Sequence, residues 1–215
     1  HEVEYYARLL APWGARPPEA PPLRLAVSDA ERAAARAWLE ARGINADAPI
    51  IGVNPAALYG TAKRWPAERH AAAARVLAAE LGARVVVTGL PTERDVAQAV
   101  CDAGGSAFTN GAGEMSLREL MAFLAACALF ITNDSGAMHV AAALGTPLVA
   151  VFGSTDWITT APRTPRARIV RVETPCAPCL LRDCPIDHRC MKAVEPSMVV
   201  EAARELLAGE SAQRG

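Results

Sequence analysis

The segment Thr132-Asn133-Asp134-Ser135-Gly136-Ala137-Met138-His139 leaves an apolar run and enters an alanine-rich one. A helix that starts there offers unpaired N–H groups and the positive end of its dipole, a combination suited to a diphosphate. Gly136 lets a ligand come close to the backbone. His139 follows Ser135 by one helical turn, so both side chains can share a face beside that ligand. The same residues admit a plainer reading, in which Asp134 or Ser135 only caps the helix and His139 is a core histidine.

Two further turns carry groups of the same kind. The loop from Asn54 to Pro66 holds Tyr59 and the adjacent cations Lys63 and Arg64, which suit phosphate oxygens, with Trp65 as a wall. The alternative is a solvated surface pair beside a core tryptophan. In Thr88-Gly89-Leu90-Pro91-Thr92-Glu93 a carboxylate enters the first turn of a helix. Glu93 there can accept from ribose hydroxyls, although an acid at that place also complements the helix dipole. A rival signal lies at Gly111-Ala112-Gly113-Glu114-Met115-Ser116, with Asp134 at the end of the next strand, which imitates a dinucleotide fingerprint. Ser116 replaces its third glycine and the preceding strand is poor, so an NAD-dependent oxidoreductase ranks second. It would need Gly111 and Gly113 against the ligand, whereas a phosphate-clamping site needs Lys63 and Ser135-Gly136.

Four of the six cysteines, Cys176, Cys179, Cys184 and Cys190, crowd into residues 174–191. The first two have the spacing of a metal knuckle, and the others, with His188 between them, would complete a tetrahedral thiolate set. The wider second spacing, Pro178 and Pro185 argue against it. Structural zinc is therefore the lesser reading, no metal is expected, and disulfides are disfavoured in a reducing compartment. Cys101 and Cys127 stand alone and read as core filling.

These turns need a frame. Short β-branched runs at 50–53, 85–88, 129–132, 148–152 and 169–172, with a weaker one near Ala107, are separated by helical patterns at 66–81, 92–101, 117–127 and 136–144. Ser28 and Glu31 form a capping box that opens an earlier helix running to Gly43. The alternation predicts an α/β, Rossmann-like parallel sheet with helices on both faces, which places ligands at the carboxyl ends of the strands. Residues 1–27, proline-rich from Ala11 onward, read as an interdomain linker or remnant of a preceding half. Residues 28–195 form the domain and 196–215 a closing helix and tail. The start at His1, without methionine, predicts that the numbering begins inside a longer polypeptide.

The 215 residues, 52% of them hydrophobic, suffice for a sizeable core. With 22 basic against 23 acidic residues, no overall field draws the chain to nucleic acid or an anionic membrane. No apolar run approaches the roughly 20 residues that span a bilayer, so a cytoplasmic location is expected.

From Ile51 to Phe152 the sequence resembles the C-terminal domain of glycosyltransferase family 9. The run Ile131 to Ala143 and the later Pro147 and Val151-Phe152-Gly153-Ser154-Thr155 match its strongest signature in order and spacing. The Tyr59 to Pro66 loop and the cysteine loop are similar to those of its lipopolysaccharide heptosyltransferases. The resemblance implies a GT-B architecture, in which two Rossmann-like domains face each other and the C-terminal one holds the sugar nucleotide. It implies ADP-heptose, or a similar nucleotide sugar, as donor, the lipopolysaccharide core as acceptor, and metal-independent inverting transfer without a cofactor. Tyr59, Lys63 and Arg64 would meet the donor, with Lys63 stabilising the leaving phosphate. Glu93 would hold the ribose and Met115 would lie near adenine. Asp134, Ser135 and Gly136 would form the diphosphate helix start, with His139 beside it. The catalytic base would come from an N-terminal domain outside this chain. Association with the inner face of the inner membrane would come through the acceptor. A non-catalytic nucleotide- or metal-binding module is the remaining alternative.

Overall fold

The computed structural model describes residues 1–14 and 23–214. Its elements run α1 (Glu2–Arg8), α2 (Asp29–Glu40), β1 (Ile50–Asn54), α3 (Ala67–Leu81), β2 (Arg84–Val87), α4 (Arg94–Gly104), β3 (Phe108–Asn110), α5 (Leu117–Ala126), β4 (Leu129–Asn133), α6 (Gly136–Leu144), β5 (Leu148–Val151), α7 (Trp157–Thr160), β6 (Ala167–Val170), α8 (Arg189–Lys192) and α9 (Pro196–Arg214). Residues 15–22, the centre of the expected linker, lie outside the described residues.

All strand pairings are parallel, in the order β3-β2-β1-β4-β5-β6. The order reverses between β1 and β4, and their carboxyl ends open a crevice at that switch point. The strands alternate between two cores. Ile51, Val53, Val85, Val87, Leu129, Ile131, Val149 and Val151 face α3, α4 and α9. Ile50, Val86, Phe130, Leu148 and Ala150 face the layer that includes α5 and α6. Burial on both sides explains why these strands read as continuous apolar runs. Gly52 in β1 is fixed by packing: a Cβ there would lie 2.9 Å from the Phe130 ring and 3.1 Å from Cys127 Sγ.

Helix boundaries follow local signals. Glu31 closes the capping box on Ser28 N at 2.7 Å, and α3 stops at Gly82, whose φ of 62° costs a residue without Cβ nothing. Two expectations shift. The last strand begins at Ala167, two residues before the β-branched run, because the pairing Leu148↔Ala167 with β5 sets its start. The helix expected from 92 begins at Arg94, after a 3-10 turn over Pro91–Glu93. The one-turn helices α7 and α8 carry no sequence signal long enough to be read.

Candidate functional site

A cavity of about 370 Å³ opens at the switch point, within the range of small-molecule sites. Each surrounding strand contributes the turn that follows it. Asn54, Ala56 and Leu58 come from the β1 turn, and Thr88, Gly89, Leu90 and Glu93 from the β2 turn. Gly111 and Met115 follow β3, and Ser135, Gly136, Ala137 and Val140 follow β4. Leu117 and Leu120 of α5 complete an apolar wall with Leu90, Met115 and Val140. One side of the cavity is therefore greasy and flat-ligand friendly, and the other presents a helix start and a carboxylate.

The helix start is built as expected. Ser135 is the N-cap of α6, in an extended conformation, and its hydroxyl accepts from Met138 N. That hydroxyl also lies 3.0 Å from Thr132 Oγ1. Gly136 is exposed, and a Cβ built there meets nothing within 4 Å, so the approach to the first helical N–H groups is open. Asp134 does not cap the helix. It is 5% exposed and binds Lys63 Nζ at 2.7 Å through Oδ2.

Lys63 ends a 3-10 turn (Thr61–Lys63) in the β1 loop, and its ammonium stands 5.4 Å from the Tyr59 ring centroid. The pair borders the crevice; Tyr59, Lys63, Arg64, Asp134 and His139 are not in the cavity lining, whereas Glu93, Met115, Ser135 and Gly136 are. Burial lowers the His139 pKa, with Asp134 pulling it up and Lys63 pushing it down, so at neutral pH the imidazole beside the pair is uncharged. The two adjacent cations part company: Arg64 acts on Asp183 of the cysteine loop, whose pKa it helps to lower.

Glu93 is 7% exposed, and its Oε2 accepts from Leu90 N at 2.8 Å. A carboxylate has room for further donors. Behind the crevice, Asn133 ties two turns together. Its Nδ2 donates to Pro55 O at 2.6 Å and its Oδ1 accepts from Trp65 N at 3.3 Å. Trp65 is not a wall of the site. It is 2% exposed, donates Nε1 to Val194 O at 2.9 Å, and belongs to the core.

The dinucleotide reading fails on position. The Gly111-Gly113 turn follows β3 at the sheet edge, not a central strand. The helix after it is closed by its own residues, since Ser116 and Glu119 form a complete capping box. Gly113 turns away from the cavity, with φ 78° and a Cβ position 2.8 Å from Pro91 Cα. Gly111 lines the cavity only as one of its walls.

The six cysteines are all free, and Cys101 and Cys127 are buried in the core as expected. Among the described residues no group of three or more His, Cys, Asp or Glu side chains is arranged to hold a metal ion. No helix among the described residues is long and apolar enough to cross a membrane.

Strand order, switch-point crevice and helix start together define a Rossmann-like ligand-binding domain. Residues 1–189 match the family model described as glycosyltransferase family 9 (heptosyltransferase), and the chain belongs to that family. Lipooligosaccharide heptosyltransferase 2 of Campylobacter jejuni is 33% identical over 163 residues, which cover 74% of this chain and 51% of that protein. Lipopolysaccharide heptosyltransferase 2 of Escherichia coli K12 is 34% identical over 174 residues, 79% of this chain and 50% of that protein. The solved E. coli ADP-heptose lps heptosyltransferase II superposes with a TM-score of 0.75 at 32% identity, over 87% of this chain and 54% of that one. A family 9 glycosyltransferase from Veillonella parvula gives 0.82 at 26% identity, over 97% and 60%. The chain thus spans about half the length of these relatives, and its six-stranded parallel sheet with helices has the Rossmann-like fold of these GT-B glycosyltransferases.

The helix start, Lys63 and Glu93 were legible from the turns that hold them. Asn54, Thr88 and the apolar wall other than Met115 were not, because they are ordinary strand-end and helix residues until the topology brings them together.

Proposed function

We propose that this domain binds ADP-heptose, or a closely similar nucleotide sugar, and supplies the donor half of an inverting transfer of heptose to the lipopolysaccharide core. The observation that carries the reading is the open start of α6 at Ser135-Gly136, facing a switch-point cavity that Lys63 borders and Glu93 lines. Its similarity to heptosyltransferase 2 of E. coli and to the solved E. coli ADP-heptose lps heptosyltransferase II supports the choice of donor.

In this reading the apolar wall of Leu90, Met115, Leu117 and Val140 takes the adenine, and the Glu93 carboxylate accepts from ribose hydroxyls. The Gly136 end of α6 and the Lys63 ammonium hold the diphosphate. An ammonium has three donors, so Lys63 can keep its bond to Asp134 and still reach a phosphate oxygen. Charge grows on the ADP leaving group as the glycosidic bond breaks, so these preorganised donors favour the transition state over the bound donor. The uncharged His139 adds a hydrogen-bonding group without changing the charge of the site. Tyr59, whose ring centroid is 5.4 Å from the Lys63 ammonium, and Arg64 meet the donor from the same loop. An inverting displacement also requires a base on the acceptor hydroxyl, which the facing N-terminal domain of the full enzyme supplies, at the cytoplasmic face of the inner membrane where the acceptor resides.

Calorimetric titration of the purified chain with ADP, ADP-heptose, UDP and NAD, without added metal, tests the reading. Binding of the two adenine diphosphates with weak UDP and NAD is expected. A preference for UDP or NAD, or an affinity for ADP untouched by Lys63→Ala, would overturn it.

A further inference from the structure

The loop that carries the four cysteines lies against the turn that carries Lys63. Thr61, the first residue of that 3-10 turn, donates both its backbone N–H and its hydroxyl to Asp183 Oδ1, at 3.1 Å and 2.7 Å. Ala62 N donates to Arg182 O at 3.1 Å. Gly60, at φ 156° and ψ −177°, leaves no room for a Cβ against the Arg182 backbone. On the far side, Leu180 N donates to Ser154 O at 2.8 Å, anchoring the loop to the turn after β5. The contact segment 180–183 is bracketed by Cys179 and Cys184.

Asp183 thus does for the Lys63 turn what an N-cap does for a helix: it accepts the leading N–H and fixes the direction in which the turn runs. Lys63, two residues on, has its ammonium aimed at Asp134 across 71 residues of sequence. The backbone N–H groups of Thr61 and Ala62 both go to the 182–183 segment, while within the turn Thr61 O accepts from Arg64 N at 3.0 Å. The Asp183 pKa is lowered, chiefly by the Thr61 hydroxyl and N–H, with Arg182 and Arg64 adding to it.

We infer that Asp183 is a positioning residue for donor binding, and that the cysteine loop serves as the brace that sets Lys63 over the diphosphate site. The inference rests on the proposed role of Lys63 and adds to it the element that aims the side chain. Asp183 itself touches no ligand in this scheme.

A double-mutant cycle on the full chain tests it, with ADP affinity by calorimetry and thermal unfolding as the two readouts. Asp183→Ala is expected to weaken ADP binding on the order of fivefold, in line with the loss of a cap. Asp183→Asn, which keeps an oxygen to accept from Thr61, should restore most of the affinity. In a Lys63→Ala background Asp183→Ala should change ADP binding little, because the side chain it aims is gone. Wild-type affinity in Asp183→Ala, or a full fivefold loss on top of Lys63→Ala, would overturn the inference while leaving the reading of Lys63 intact. An ADP affinity indifferent to Lys63→Ala would instead remove the reading on which it rests. A fall in unfolding temperature matched by Asp183→Asn, with no affinity rescue, would assign Asp183 to stability alone and also overturn it.

Discussion

Lys63 Nζ and Asp134 Oδ2 are 2.7 Å apart, with the lysine side chain 18% and the aspartate side chain 7% exposed. The pair joins the turn after β1 to the turn after β4, the two strands between which the sheet order reverses. It is at once a fastening across the crevice and a cation held beside Asp134, two residues before the start of α6.

Lys63→Ala is therefore expected to have two effects. Loss of a charged donor should weaken ADP binding by roughly ten- to a hundredfold, matching about 1.5 to 3 kcal/mol. Asp134, left nearly buried without its partner, should lower stability by about 1 to 3 kcal/mol. Calorimetry and urea unfolding separate the two, and Asp134→Asn in the same background should return part of the stability but none of the affinity.

Gly136→Val and Gly113→Ala should behave oppositely. At Gly136 a side chain meets no protein atom within 4 Å, so the fold tolerates valine while the backbone donors become shielded from a diphosphate. At Gly113 the φ of 78° and the approach to Pro91 make even alanine strained, at about 1 to 3 kcal/mol. The first variant should lose ADP affinity with a nearly unchanged melting temperature, and the second should melt earlier with ADP affinity largely kept. The reverse pattern would return the ligand to the Gly111-Gly113 turn.

Asn133 is fully buried and holds Pro55 O and Trp65 N with one side chain. Asn133→Ala leaves both backbone groups unpaired and should cost about 2 to 4 kcal/mol. Asn133→Asp should cost at least as much, since a carboxylate cannot donate to Pro55. Denaturant midpoints check the ranking; a milder effect of aspartate than of alanine would contradict the assignment of the amide donor.

Burial of His70, whose ring packs edge-on to Trp65 at 4.8 Å between centroids, pushes its pKa down to about 3 against a smaller opposing pull from Asn133. An unfolded histidine titrates near 6.5. Between those values the unfolded chain binds a proton that the folded one refuses, so this group's contribution is intact above about pH 6.5 and falls as pH drops toward 3. The slope is at most about 1.4 kcal/mol per pH unit. His139, also lowered by burial, adds in the same direction. Urea midpoints measured from pH 7.5 to 5 should decline, and His70→Phe, which keeps an aromatic ring, should flatten most of that decline.

The sequence carried the parts of this site that follow from local chemistry. Ser135-Gly136 read as a helix start because capping and glycine openness are properties of a few consecutive residues, and Glu93 read as an acid in a first turn for the same reason. Partnerships across the fold were not legible. Nothing near Lys63 announces Asp134, which only the crossover returning β4 beside β1 brings close, and nothing near Thr61 announces Asp183, which only the loop after β6 brings back onto the β1 turn. Trp65 was ambiguous between ligand wall and core, and the carbonyl of Val194 decides it for the core. Gly113 imitated a phosphate turn although its glycine is required by Pro91.

The placement of β1 between β2 and β4 also governs when the site can exist as the chain folds. The pairs β1-β2 and β2-β3 join neighbours in sequence and can form from residues 50–110 alone. The other edge of β1 stays unpaired until β4 at Leu129–Asn133 has been made and returned across the earlier strands. Non-local pairing of this kind is slow, because the loop must close before its contacts can repay the lost entropy. The crevice is consequently a late product of folding, and until β4 pairs the chain exposes the apolar edge of β1 to its neighbours.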